Sequence, residues 1–224
     1  MQNLLVNNIG EKLMGVFPKF IYKVKTNEKL VALTFDDGPH PEFTIELLDL
    51  FKEKGIKVTF FVRGSKIETH NKIVSRMITE GHELGNHSYS HKNLIFKKKS
   101  TIRIEIEKTD RLLRELGVKG DIHFRPPFGR ILFSASSVLA SLNKKVIMWN
   151  VPTKDFKEND PNVILKRIYK RIKPGSIIVL HDSGVEKHGK EINRQSTISA
   201  VKVLIDELAK KGYKFRTVSE LINN

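Results

Sequence analysis

The sequence predicts an α/β fold organised around a parallel sheet or barrel. Two observations carry this. Apolar runs of strand length recur along the chain with amphipathic helical patterns between them, an alternation that fits βαβ units rather than a helix bundle or a sandwich. The helical patterns also stop at glycines, the residue that most easily ends a helix. Residues 30–35 read as the first buried strand, stopped by Gly38-Pro39. Residues 42–54 place Ile45, Leu48 and Phe51 on one helical face before Gly55, and residues 58–62 form the next strand. Residues 101–116 set Ile102, Ile106, Leu113 and Leu116 on one face and stop at Gly117. Strand-like runs follow at 123–125, 145–149 and 176–181. Residues 197–211, with Val201, Leu204, Ile205 and Leu208, stop at Gly212, and 214–217 is the last strand. Residues 1–28 are the least patterned and read as an irregular N-terminal arm. With no repeat, low-complexity tract or linker in view, residues 29–224 read as one catalytic domain.

A chain of 224 residues with 39% hydrophobic content is large enough to bury a substantial core. It has no cysteine, so disulfides and thiolate ligands are excluded and any metal must be held by histidines and carboxylates. Residues 1–20 are interrupted by Asn3, Asn7, Asn8, Glu11 and Lys12 and lack the basic leader and apolar core of a signal peptide. No run is long enough to span a bilayer as a helix. The expectation is a cytoplasmic or membrane-peripheral protein if the chain is complete, and an exported one if an export signal has been removed. The formal net charge of +15 favours anionic partners such as envelope polymers or anionic lipid surfaces. The alternative is a lysine-rich solvated surface. No basic stretch interleaves aromatics for base stacking, so no nucleic-acid partner is expected. Oligomeric state is not legible.

The residues with chemical potential sit at strand ends. Asp36 and Asp37 close the first strand, at the kind of edge that hosts active sites in α/β folds. Neighbours on an extended strand point to opposite faces, which would let one carboxylate bind a metal while the other faces the metal's water. His87 and His91 are four apart, so one helical turn would bring both imidazoles to one ion; two histidines and a carboxylate leave coordination positions open. Arg125 opens a rigid Arg-Pro-Pro-Phe-Gly loop and could hold a carboxylate bidentately. The run 177–180 delivers His181, which could protonate a leaving group, and Asp155 could hydrogen-bond that imidazole and raise its pKa. Taken singly, each has an ordinary alternative: a turn-initiating Asp-Asp-Gly-Pro, a solvated helical turn, a surface ion pair, a structural histidine, a loop carboxylate. His82 has no partner at useful spacing and reads as structural.

Read in order, these motifs resemble those of the polysaccharide deacetylases, carbohydrate esterase family 4, which share the NodB homology domain. The resemblance spans residues 29–220 and implies a distorted (β/α) barrel and metal-dependent removal of N-acetyl groups from a peptidoglycan- or chitin-like glycan. Thr-Phe-Asp-Asp-Gly at 34–38 implies Asp36 as general base and Asp37 as metal ligand. The His-Ser-Tyr-Ser-His run adds His87 and His91 as ligands, with Zn²⁺ the expected divalent ion. Arg125 would tether Asp36, and the backbone N–H of Phe128 would help hold the oxyanion. Leu180-His181-Asp182, a loose form of the family's Leu-x-His, implies His181 as general acid and Leu180 in an acyl-methyl pocket. The fourth motif departs from Asp-x-x-Asp-Trp: Asp155, which would orient His181, is kept, but Phe156 replaces the tryptophan. Phe128 likewise stands where tyrosine is usual. Phe156, Phe128 and Trp149 are the expected substrate-binding aromatics. Competing readings keep the chemistry on O-acetyl xylan or on a lipid-linked or small-molecule amide, or take the chain as a decayed glycan-binding module.

Overall fold

Strand β2, Leu30–Asp36, lies at the centre of the molecule, and all of its residues are buried. It pairs with β7 (Ser176–His181) along its length, with β3 (Thr59–Val62) over its C-terminal half, and with β8 (Lys214–Phe215) at its start. Beyond these, β3 pairs with β4 (Glu83–Asn86) and β7 with β6 (Val151–Pro152), while β1 (Phe20–Ile21) pairs with β5 (Val146–Ile147). Every one of these ladders is parallel. In this computed structural model, which describes residues 18–184 and 192–224, Phe124 bridges Asn86 to Val146 and so joins β4 to β5. A single antiparallel bridge, Lys23 to Ser176, then ties the chain after β1 back to β7. The strands therefore close into a distorted barrel, in which single bridges stand where full ladders would be.

Alternation along the strands decides what faces where. Val31, Leu33 and Phe35 of β2 join Ile178 and Leu180 of β7 in the large core beneath the helices, whereas Leu30, Ala32 and Ile177 face the barrel interior with Phe61 and Ile147. Outside β2 pack α1 (Phe43–Lys54) and α7 (Gln195–Lys210). Phe51 of α1 lies with its ring 5.4 Å from Phe35 and 6.3 Å from Phe60. Truncating such a fully buried ring to alanine costs roughly 3–5 kcal/mol. The remaining helices are α2 (Gly64–Thr69), α3 (Asn71–Thr79), α4 (Lys99–Glu115), α5 (Phe133–Ser141), α6 (Pro161–Tyr169) and α8 (Val218–Ile222). Helix α8 is capped by Thr217 and Glu220 in a capping box and sends Val218 and Leu221 into the barrel floor.

Several expectations change. Ile45 is exposed, and α1 instead buries Phe43, Leu47, Leu48, Leu50 and Phe51. The strands expected at 123–125 and 145–149 reduce to the Phe124 bridge and to β5. Strands β1, β4 and β6 were not expected, nor was any strand within the arm at 1–28; the described part of that arm contains β1. Residues 1–17 lie outside the described residues. Among the described residues, no helix is long and apolar enough to cross a membrane.

Candidate active site

Because the main strands run parallel, their C-terminal ends meet on one rim, and Asp36, Arg63, His87 and His181 all stand there. By the alternation above, Thr34 and Asp36 point inward, and beneath them lies Arg125, a fully buried guanidinium. Its Nη1 donates to Asp36 Oδ1 and to Thr34 Oγ1, each at 2.7 Å, while Nε and Nη2 donate to the carbonyls of Ile147 and Met148. Its ring contacts add to this, with the guanidinium carbon 4.0 Å from the Phe61 ring centre. Asp36 is thus held by one nitrogen of the fork; the bidentate pairing expected from the sequence is not formed, because the other donors are committed to backbone.

Asp37 departs from strand geometry. Its φ of 76° is left-handed, so the chain turns just after Asp36 and both carboxylates approach one point rather than facing opposite ways as an extended end would require. His87 Nε2 lies 3.9 Å from Asp36 Oδ2 and 3.8 Å from Asp37 Oδ1. The following residue, Gly38, packs against Asp182: a Cβ at this position would lie 2.1 Å from the Asp182 carboxylate, so only glycine fits. Burial pushes the Asp182 pKa up to about 6, and Thr44 Oγ1 donates to its Oδ2 at 2.5 Å.

The His87–His91 segment is a loop, not the helical turn expected. Ser88 and His91 have left-handed φ of 61° and 57°, and the loop is pinned from outside itself. Asn86 Oδ1 accepts from Ser88 N at 2.8 Å, and Glu105 of α4 accepts from both Ser90 N and Ser90 Oγ. The rings still converge, with centres 5.0 Å apart. His87 Nδ1 lies 2.8 Å from the Arg125 carbonyl, which can only accept; Nδ1 must therefore carry the proton, leaving Nε2 with a free lone pair. Burial holds the His87 pKa at about 3, so the ring is neutral as a ligand must be. His91 Nε2 stands 3.0 Å from Asp37 Oδ1. Burial lowers His91 as well, against the pull of Asp37. Burial alone would raise Asp37, but the fields of His91, His181 and His87 outweigh it and the carboxyl is held low.

Asp37, His87 and His91 thus offer three donor atoms within 4.8 Å of one another, a group able to hold a metal ion. Two features fit a cation there. Asp37 Oδ1 is buried with no hydrogen-bond partner, and His87 presents its unprotonated nitrogen inward.

Across the cavity, His181 Nδ1–H donates to Asp155 Oδ1 at 2.8 Å. Asp155 is buried and fully engaged: Thr153 Oγ1 lies 2.8 Å from Oδ1, and Oδ2 accepts from His181 N and Thr197 Oγ1. Burial alone would lower the His181 pKa, but the charge and hydrogen bond of Asp155 reverse this and raise it to about 9. Burial would likewise raise Asp155, yet the His181 charge opposite brings it down to about 2. Phe156 sits edge-on to His181 with ring centres 5.4 Å apart, and Phe128, left-handed at φ 61° and exposed, lies 4.6 Å from the His91 ring.

One cavity of about 530 Å³ takes in Asp36, Asp37, His87, His91 and His181, walled by the expected aromatics Phe128, Trp149 and Phe156. Leu180 does not belong to it. Strand parity turns Leu180 into the core under the helices, and its neighbour Val179 supplies the apolar wall instead. The motif reading also passed over Thr34, Thr153 and Thr197, which position Asp36 and Asp155, and Arg63, which lines the cavity. Thr34 stands inside the first motif and Thr153 inside the fourth, both within reach of a closer reading; Thr197 and Arg63 carry no local signal.

Carboxylates and histidines gathered on the C-terminal rim of a parallel barrel place the chain among the α/β-barrel enzymes. It belongs to the polysaccharide deacetylase family, whose model matches residues 23–147. A peptidoglycan-N-acetylglucosamine deacetylase of Bacillus cereus is 33% identical over 90% of this chain and 92% of its own. The crystal structure of a peptidoglycan N-acetylglucosamine deacetylase superposes with a TM-score of 0.83 at 34% identity, covering 92% of this chain and 93% of that one. A CE4 family pseudoenzyme from Bacillus anthracis superposes with a TM-score of 0.81 at 29% identity, over 92% of this chain and 69% of that one.

Proposed function

We propose that this chain is a metal-dependent deacetylase that removes N-acetyl groups from a glycan of N-acetylglucosamine-like units, as in peptidoglycan or chitin-type oligomers. The observation that supports it best is the convergence of Asp36, the Asp37–His87–His91 donor set and His181 on one cavity, although they come from three separate chain segments. Asp37, His87 and His91 would hold a divalent ion, with Zn²⁺ the expected one, which when bound would supply Lewis acidity to the acyl oxygen and to the attacking water near neutral pH.

The protein's own groups do the rest. Asp36, tethered by Arg125, takes the proton of the attacking water. As the carbonyl carbon becomes tetrahedral, negative charge grows on its oxygen, and the Phe128 amide would donate to it; one such donor is typically worth about 3 kcal/mol. The carbon–nitrogen bond then breaks, and because an amide anion is a poor leaving group, the nitrogen must receive a proton. His181 gives it, being kept cationic by Asp155. A carboxylate base tethered by a guanidinium and an acid held protonated in one cavity is the division of labour that amide hydrolysis requires. Phe128, Trp149 and Phe156 would stack on sugar faces.

The test is acetate release by metal-loaded protein from N-acetylated glycan oligomers and from acetylated xylan, with Asp36→Ala as the blank. Release from the N-acetyl oligomers that vanishes in the variant is expected. Release confined to xylan would move the chemistry to an ester. The pseudoenzyme neighbour gives weight to a decayed binding module, and silence on every substrate would favour it. Against it stand Asp36 and His181, both present with their partners Arg125 and Asp155.

A further inference from the structure

The cavity carries more positive charge than the chemistry above uses. Arg63, which follows β3 directly, lines it beside the metal donors and is among the charges acting on His91. Its Nε is buried and donates to nothing, an unfavourable state for a polar group. Arg130 and Lys154 line the same cavity with exposed side chains. The acidic residues lining it are Asp36 and Asp37 alone among the described residues; Asp36 is paired with Arg125, and Asp37 belongs to the donor set. Arg194, also on this wall, is spent on the Ser183 carbonyl. Arg63 therefore stands as an uncommitted guanidinium where a substrate's acetamide would react.

A guanidinium has only donors, and the ligand that satisfies a planar fork of them best is a carboxylate. Neutral hydroxyls would occupy the donors without balancing the charge. We propose that Arg63 determines specificity by binding a carboxylate carried by the glycan close to the reacting acetamide, so that the preferred substrate class is an acidic N-acetylated glycan rather than a neutral one. Arg130 and Lys154 add a favourable field at the mouth, which speeds encounter more than it selects. The proposal rests on the deacetylase reading, and it deepens that reading by naming a feature of the substrate.

Three tetramers test it: an N-acetylglucosamine tetramer, an alternating N-acetylglucosamine and N-acetylmuramic acid tetramer with free carboxylates, and the same alternating tetramer with those carboxylates converted to amides. Binding is measured by calorimetric titration on the Asp36→Ala protein, with and without Arg63→Gln, and kcat/KM on the otherwise native chain. The carboxylate form should bind at least about tenfold more tightly than its amide, the size expected of a charge-assisted pair. Arg63→Gln should remove that ratio, in binding and in kcat/KM alike. A ratio near one in the parent protein overturns the proposal, and so does a ratio that survives Arg63→Gln. A parallel loss on both forms would assign Arg63 a structural role and overturn it too. If no tetramer yields acetate, the deacetylase reading fails on its own, while the binding ratio still decides the role of Arg63.

Discussion

The two ends of the barrel both bury histidines and carboxylates, yet they treat them differently. At the N-terminal end a cavity of about 710 Å³ takes in His82, Glu83, His123, Lys145 and Ser219. There most of the polar groups serve one another, and His82 Nε2 is buried without a partner. Glu83 accepts from Thr59 Oγ1, Ser219 N and Ser219 Oγ, at 2.6 to 3.0 Å. With the Ser219 proton given to Glu83, His123 Nε2 donates to the same hydroxyl at 3.1 Å, and Lys145 pairs with Asp121. At the C-terminal rim the corresponding groups are held from behind and left open in front: Asp37 Oδ1 and Arg63 Nε are buried without partners. The larger cavity is thus the one whose carboxylate Glu83 is already spent, with the neutral His82 Nε2 left without a partner there. Buried polarity by itself marks stability as readily as function, and what separates the two ends is a pair of unpartnered charged groups, Asp37 and Arg63, facing one cavity.

The largest effect that would sharpen this contrast is on turnover. Asp36→Ala or His181→Ala should lower kcat by roughly 10²–10⁴-fold while the fold persists. His123→Ala, at the other end, should leave acetate release at its parent rate and instead cost about 1–3 kcal/mol of stability for the hydrogen bond removed. Acetate assays beside thermal melts would separate the two, and comparable rate losses at both ends would erase the distinction.

Next in size is Arg125→Met. It leaves Asp36 buried without its cation, and removing one partner of a buried ion pair typically costs about 3–5 kcal/mol. Urea denaturation would measure this, and a loss below about 1 kcal/mol would mean that water reaches the pair. Asp155→Asn then tests the acid. Activity that depends on protonated His181 should decline as pH rises through about 9. Without the Asp155 charge, burial is opposed only by the fields of Asp37 and Asp36, so the high-pH limb should move to lower pH. A limb that stays in place would belong to some other group.

How much of this was legible depended on whether a feature is local. Asp36, Asp37, His87 and His91 lie in contiguous motifs, and β2 and β7 are apolar runs long enough to declare themselves. Strand β4 reads Glu-Leu-Gly-Asn, with no apolar run; it is defined by contact, since a Cβ on Gly85 would lie 2.5 Å from the Phe61 ring. Strands β1 and β6 have two residues each, too few to show a period. The left-handed φ at Asp37 has no signal in the motif, and the loop form of His87–His91 is held by Asn86 at the end of β4 and by Glu105 of α4. The assignment of Leu180 rather than Val179 to the cavity was an error of strand parity, which no motif records but which pairing with β2 decides. Arg63 has no motif at all; only its unsatisfied nitrogen distinguishes it.

The smallest predicted effect lies at the N-terminal end and concerns pH. His82 is buried with its Nδ1 accepting from Val58 N at 3.2 Å and its ring edge-on to Phe60, and burial lowers its pKa to about 4. A histidine held below its unfolded value of 6.5 stabilises the fold fully above that value. Stability is lost as pH falls from there toward 4, because the unfolded chain binds the proton first. Between about pH 7.5 and about pH 5 this linkage is worth about 2 kcal/mol. His82→Gln keeps an acceptor for Val58 N but cannot titrate, so the variant should lose about that much less stability over the same interval in chemical denaturation. His87 and His91 are also lowered and contribute to the total slope in both proteins, so the difference between them isolates His82. Equal slopes would mean that His82 is hydrated enough to protonate in place, and the N-terminal cavity would then be wetter, and closer in character to the active rim, than its hydrogen bonds indicate.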